Sequence, residues 1–223
     1  MRAAIVVPTL DEEEALARHL PAALLAADEV VVSDGGSRDG TVALARRLGA
    51  RVVAGPPGRG GQLNRGAAAC SADLLLFLHA DTALPPGGVE LARAAVAAGA
   101  VGGGFRVRFD VDRPAQRLGA RLINLRTRMT RVPLGDQAQF VSAEAFRALG
   151  GYRDWPILED LDFGRRLKRH GRVALVERPV TTAARRFVER GVVATVATNW
   201  LIWGLFFAGV SPHRLAGLYR QIR

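Results

Sequence analysis

Four short apolar runs punctuate the first third of this chain: AAIVV at 3–7, EVVVS at 29–33, RVVA at 51–54 and LLLFLH at 74–79. A strand with one wet face alternates apolar and polar residues, whereas a run that is apolar through its length must be covered on both faces. The stretches between the runs supply the cover. DEEEALARHLPAALLAA at 11–27 opens on acids, which suit a first helical turn, and then repeats Leu and Ala at helical spacing. GTVALARRLGA and GGQLNRGAAACS each read as a helix opening at glycine. Strand and helix in this alternation predict an α/β fold built from βαβ crossovers, with a mainly parallel sheet flanked by helices.

In such sheets ligands bind beyond the carboxyl ends of the strands. The residues that follow the strands therefore matter most: Pro8, Thr9, Glu12, Asp34, Arg59, His79 and Asp81. Two familiar nucleotide signatures are missing. No G-x-G-x-x-G follows the first strand, and GPPGRGGQLNRG at 55–66 lacks the Lys-Ser/Thr ending of a P-loop. Its glycines with Arg59 still permit a close backbone approach to phosphate at a helix start, or simply a flexible turn. Asp34, in VVSDGGSRDGT, either accepts hydrogen bonds from a nucleobase or caps an Asp-Gly-Gly turn. His79 and Asp81 suit a satisfied core histidine and a turn cap. A carboxylate and an imidazole at a strand end also suit a hard divalent cation that bridges a diphosphate.

Composition narrows the class. The 223 residues are 49% hydrophobic, enough for one sizeable core. The single cysteine, Cys70, excludes an internal disulfide and a thiolate zinc site. The net charge of +10 lies in the C-terminal part: residues 161–223 carry 12 Arg and Lys against 3 Asp and Glu, while residues 1–160 carry 19 against 18. Nucleic acid is not the expected partner, because no zinc, helix-turn-helix or aromatic RNA-platform signature accompanies this charge. MRAAIVVPTLDEEE has no apolar stretch and cleavage site of the signal-peptide kind, so the expected location is cytoplasmic.

WPILEDLDFGRRLKRHGRV at 155–173 places Glu159, Asp160 and Asp162 at the start of a predicted helix and four cations behind them. Complementarity to the helix dipole explains that layout without any chemistry. GDQAQFVSAEAF at 135–146 reads as a loop holding Asp136 and Gln137, then a short strand and helix. Residues 192–210 carry no charge, a length that as one helix would cross a bilayer core. Thr195, Thr198 and Asn199 occupy one face of that helix and Trp200, Trp203 and Phe207 another. This two-sided pattern suits docking on the catalytic domain, dimerisation or a membrane interface better than a span.

Taken in order, VPTLDEE, VVSDGGSRDGT, GRGGQLNRG, LLLFLHADT and LEDLDFGRRL resemble the motifs of glycosyltransferase family 2, inverting enzymes of the GT-A fold. The match runs from about residue 3 to residue 176. LLFLHADT, GDQAQFV and TTAARRF further resemble a short bacterial subgroup, some of whose members are assigned to arsenosugar biosynthesis; that resemblance carries no substrate. It implies a nucleotide-sugar-binding catalytic domain at 1–186, followed by a helical tail at 187–223. Pro8, Thr9, Glu12, Asp34, Arg59, Asn64, His79 and Asp81 would then bind the nucleotide sugar. His79 stands where the family has the first aspartate of its Asp-x-Asp motif, which leaves Asp81 as the ligand for a divalent cation, Mn or Mg. Asp160 would be the general base with Glu159 beside it, and Asp136 and Gln137 would line the acceptor side. Arg185 and Arg186 would either close over the diphosphate or sit on a solvated face. The implied partners are a nucleotide-diphosphate sugar and an acceptor hydroxyl, and the tail allows a homodimer or a peripheral position at the inner face of a membrane. A sugar-phosphate nucleotidyltransferase would need a glycine- and lysine-rich signature after the first strand, where PTLDEEE stands. A nucleotide-sugar-binding protein without transferase activity is the other reading.

Overall fold

The computed structural model describes residues 1–184, 188 and 191–222, and so leaves Arg185 and Arg186 outside the described residues. The N-terminal half follows the expected alternation: β1 (Ala3–Thr9), α1 (Glu13–Ala26), β2 (Glu29–Asp34), α2 (Thr41–Arg47), β3 (Arg51–Ala54), α3 (Arg59–Ala68) and β4 (Leu74–Phe77). Next come β5 (Thr82–Ala83), α4 (Gly88–Ala97), β6 (Gly102–Phe109), α5 (Pro114–Thr130) and a 3-10 turn at Gly135–Gln137. The main body closes with β7 (Phe140–Ser142), α6 (Ala143–Ala148), α7 (Glu159–His170) and β8 (Val173–Thr182), and the tail forms α8 (Val192–Phe207) and α9 (Pro212–Ile222).

The eight strands form one sheet in the order β3-β2-β1-β4-β7-β6-β8-β5. β1 to β4 are mutually parallel and β6 pairs parallel with β8, while β7 is antiparallel to both β4 and β6, and β5 is antiparallel to β8. The sheet is thus mixed, with six strands sharing one direction and delivering their carboxyl ends to one edge. Both faces are covered, as the unbroken apolar runs require. Within β1, Ile5 and Val7 face one core with Leu16, Leu20, Val32 and Leu76, while Ala4 and Val6 face the other with Leu63, Phe77, Phe146 and Phe163. α3 approaches β1 so closely that a Cβ at Gly66 would lie 2.3 Å from Val6 Cγ1. Cys70 sits at the end of this helix, its thiol donating to the Gly66 carbonyl at 3.2 Å and pushed up to about 11 by burial.

α8 docks on the body. Ile202 is buried, Phe206 meets Trp155 edge-on at 5.9 Å, and Arg126 of α5 lies over the Trp203 ring at 5.1 Å. At 16 residues α8 is about 24 Å long, short of a bilayer core, and among the described residues no helix is long and apolar enough to cross a membrane.

Candidate active site

The floor of the site is the end of β1 against the end of β2. Thr9 Oγ1 donates to Asp34 Oδ1 at 3.2 Å, and the Asp34 carboxylate also receives the backbone N–H groups of Gly36 (2.8 Å) and Ser37 (2.9 Å). Burial pushes this carboxyl up, but the Ser37, Gly36 and Thr9 bonds together hold it below its ordinary value. Asp34 therefore stays ionised in a turn that its own side chain organises. Pro8 is half-buried beside it, paired in register with Ser33. Gln62, which the sequence did not single out, ties this floor to the glycine loop. Its buried amide donates to the carbonyls of Thr9 (2.7 Å) and Ser33 (3.0 Å) and accepts from Gly58 N–H at 3.2 Å.

A second group converges on Gly135. A Cβ at this position would lie 2.4 Å from Arg59 Nη2, 2.9 Å from His79 Nε2 and 3.2 Å from Asp160 Oδ2, so only a glycine lets these three side chains approach one another. They come from the start of α3, the end of β4 and the start of α7. Asp160 is oriented by backbone, its Oδ2 accepting from Gly135 N–H at 2.8 Å and its Oδ1 from Leu161 N–H at 2.7 Å. Arg59, a third exposed, pairs with Glu159 at 3.2 Å. Burial alone would lower the guanidinium, but Glu159 and Asp160 outweigh it and raise it further. Glu159 is 4% exposed, and burial with the adjacent Asp160 pushes its carboxyl up to about 7 against the pull of Arg59. The residue before this acid pair, Leu158, has φ 66°, a left-handed conformation that costs a branched side chain on the order of 1–2 kcal/mol. The third acid of the helix start, Asp162, is a structural partner of Arg166 (2.7 Å) and Arg153 (3.3 Å).

Two expected contact residues are turned to other work. Gln137 is 1% exposed, accepts from Thr127 Oγ1 at 2.7 Å and donates to the Phe105 carbonyl at 3.0 Å, so it braces the 3-10 turn from within. Asn64 holds the backbone of Tyr152 from both sides, donating to its carbonyl at 2.8 Å and accepting its N–H at 2.9 Å. Asp136 stays beside the Gly135 cluster. Burial raises its carboxyl, Asp160 adds to the rise, and Arg126 and Arg59 oppose it.

Asp81 and Glu12 line a groove of about 950 Å³ that runs from the starts of α1 and α2 to the ends of β6 and β8, with Asp39, Asp110 and His19 along it. The Asp81 carboxylate receives a long 3.3 Å bond from Thr82 Oγ1. Among the described residues no three His, Cys, Asp or Glu side chains gather into a metal cage.

This architecture recurs in solved structures. Glucosyl-3-phosphoglycerate synthase from Mycobacterium tuberculosis, solved with Mn2+, UDP and glucosyl-3-phosphoglycerate, is 26% identical at TM-score 0.59 over 87% of this chain and 78% of its own. Staphylococcus aureus TarS 1–349 is 15% identical with a TM-score of 0.64, covering 96% of this chain and 68% of its own. The mannosyltransferase PcManGT from Pyrobaculum calidifontis, solved with GDP-Man and Mn2+, is 20% identical with a TM-score of 0.64, covering 90% and 60%. Among curated proteins, none matches the chain. A curled mixed sheet flanked by helices, shared with these enzymes, defines a glycosyltransferase of the GT-A fold. Its sequence fixes the family as well: residues 4–147 match Glycosyl transferase family 2, and the chain belongs to that family.

Proposed function

We propose that this protein transfers a sugar from a nucleotide-diphosphate donor to an acceptor hydroxyl with inversion at the anomeric carbon. The observation that carries the reading is the convergence of Arg59, His79 and Asp160 on Gly135 at the carboxyl edge of the parallel strands. The donor's nucleoside would lie over Pro8, Thr9 and the Asp34 turn, with Glu12 at the rim and His79 toward the ribose. The structural neighbours that hold UDP or GDP-Man support a donor of this class.

Inversion requires a single displacement. The acceptor oxygen attacks the anomeric carbon from the face opposite the diphosphate, its proton passes to a base, and the bond to the diphosphate breaks with both electrons leaving on phosphate oxygen. Asp160 suits the base, because two backbone N–H groups fix its carboxylate beside the cluster. Arg59, held at the start of α3 by Glu159, offers a cation to the departing diphosphate. Asp136 lies on the acceptor side of the same cluster.

A hard divalent cation needs no protein cage when phosphate oxygens and water complete its sphere. The partly exposed Asp81 carboxylate, whose side-chain bond among the described residues is the long one from Thr82, fits that mode as the one protein ligand, for Mn or Mg. Such an ion would neutralise the diphosphate as it leaves.

Asp160→Asn tests the mechanism directly. The isosteric amide should leave donor affinity within about two-fold, measured by calorimetry against a panel of UDP- and GDP-sugars with manganese, while transfer falls by roughly 10² to 10⁴-fold. The anomeric configuration of the product, read by NMR, reports inversion. Full activity in the Asn variant removes Asp160 from the role of base, and a retained anomer removes the single displacement.

A further inference from the structure

The docked tail leaves a surface unexplained. Among the described residues of α8 the exposed positions are Ala194, Ala197, Asn199, Trp200, Leu201, Gly204 and Phe207, so apart from Asn199 this outer face is apolar. Trp200 is 71% exposed. The inner face is already satisfied by the body, through Ile202, Trp203 and Phe206. α5, joined to α8 through Arg126 and Trp203, carries a matching outer stripe of Leu118, Leu122, Leu125 and Met129, spaced four, three and four residues apart, all exposed. Exposed Arg117, Arg121 and Arg128 are interleaved with this stripe. Neither α5, α8 nor α9 contains a single Asp or Glu.

We infer that the α5–α8 face is a docking surface for an anionic lipid bilayer, on which both helices lie in the plane of the interface. Contiguous exposed apolar surface marks an interaction site, and its combination with arginines decides the partner. A second copy of this chain, placed by a two-fold axis, would set the α5 arginines of one protomer against those of the other. A bilayer offers what both residue types require: acyl chains for Trp200, Leu125 and Met129, and lipid phosphates for the guanidinium groups, whose long stems lie along apolar surface. α8 is too short to cross the membrane, and its tryptophan favours the headgroup level. The inference is independent of the catalytic reading, because no residue of this face is part of the proposed donor or base machinery.

Sedimentation of the 223-residue protein with vesicles tests it. Wild type should pellet with vesicles of phosphatidylcholine containing phosphatidylglycerol and stay in solution with pure phosphatidylcholine. Its tryptophan emission should shift to the blue on binding, and added salt should release it. Arg117 is paired with Asp112 at 3.0 Å, so Arg121→Gln with Arg128→Gln is the informative pair and should weaken the partition about 25-fold, since each cation at such a surface is worth about five-fold. Trp200→Glu with Leu125→Glu should abolish it while leaving the melting temperature and donor binding unchanged, because both side chains are exposed. Equal partition on neutral and anionic vesicles overturns the proposal, as does wild-type affinity in the Trp200/Leu125 variant. So does a vesicle-indifferent wild type that light scattering shows to be a dimer dissociated by Trp200→Glu, which would assign the face to a second copy.

Discussion

Glu159 links Arg59 to Asp160, the cation and the base of the proposed mechanism, since one carboxylate is paired with Arg59 and adjacent in sequence to Asp160. Its folded carboxyl titrates near 7 and its ordinary value is 4.5, so between those values the folded protein holds a proton that the unfolded chain has released. The contribution of this group to stability is then fully present below about 4.5 and is lost as pH rises toward 7. Melting temperatures recorded across that window should fall with pH in wild type more steeply than in Glu159→Gln, and parallel curves would show that the carboxyl does not titrate there. The strand-end residues Thr9, Asp34, His79 and Asp81 were legible in the sequence because a parallel sheet announces where its carboxyl ends fall. Gly135, Gln62 and the inward turn of Gln137 were not. Each depends on partners that only the fold brings together, such as Thr127 and Phe105 around Gln137 or Thr9 and Ser33 around Gln62.

Among the elements, the bond between α3 and the segment before α7 has the clearest energetic signature. Asn64 and the Tyr152 backbone are 88 residues apart and exchange two hydrogen bonds. Asn64→Ala removes both and leaves the Tyr152 N–H and C=O without these partners. The expected cost is about 2–6 kcal/mol in a urea or guanidinium titration, at roughly 1–3 kcal/mol per group abandoned. A midpoint within experimental error of wild type would mean that water replaces the amide. β1 to β4, α1 to α3 and the acidic start of α7 could be read from local pattern. The direction of β7 could not, since three residues carry no periodicity that distinguishes antiparallel from parallel. β6 and β8 were hidden for a different reason: GGGFRVRF opens on three glycines and VALVERPVTT places Glu and Arg at exposed and Pro at half-buried mid-strand positions, which tolerate them.

For the whole molecule, the mixed sheet joins two parallel units, β3-β2-β1-β4 and β6-β8, through β7 alone. This insertion has a consequence for the order in which the protein is made. β4 is complete when residue 77 has been added, yet the strand that covers its outer edge ends at residue 142. At about 5–20 residues per second the apolar edge of Leu74–Phe77 waits roughly 3–13 s for its neighbour, longer than a hairpin strand ever would. An unpaired apolar edge is a template for pairing with other chains. A fragment of residues 1–100 should therefore scatter light and aggregate, whereas one of residues 1–150, in which β7 covers β4 and β6 flanks β7 on its other side, should remain more dispersed; identical scattering from the two would count against the idea. On a ribosome, the uncovered edge of β4 would be a surface for chaperones to shield during one defined interval of synthesis, and β7 would end that interval.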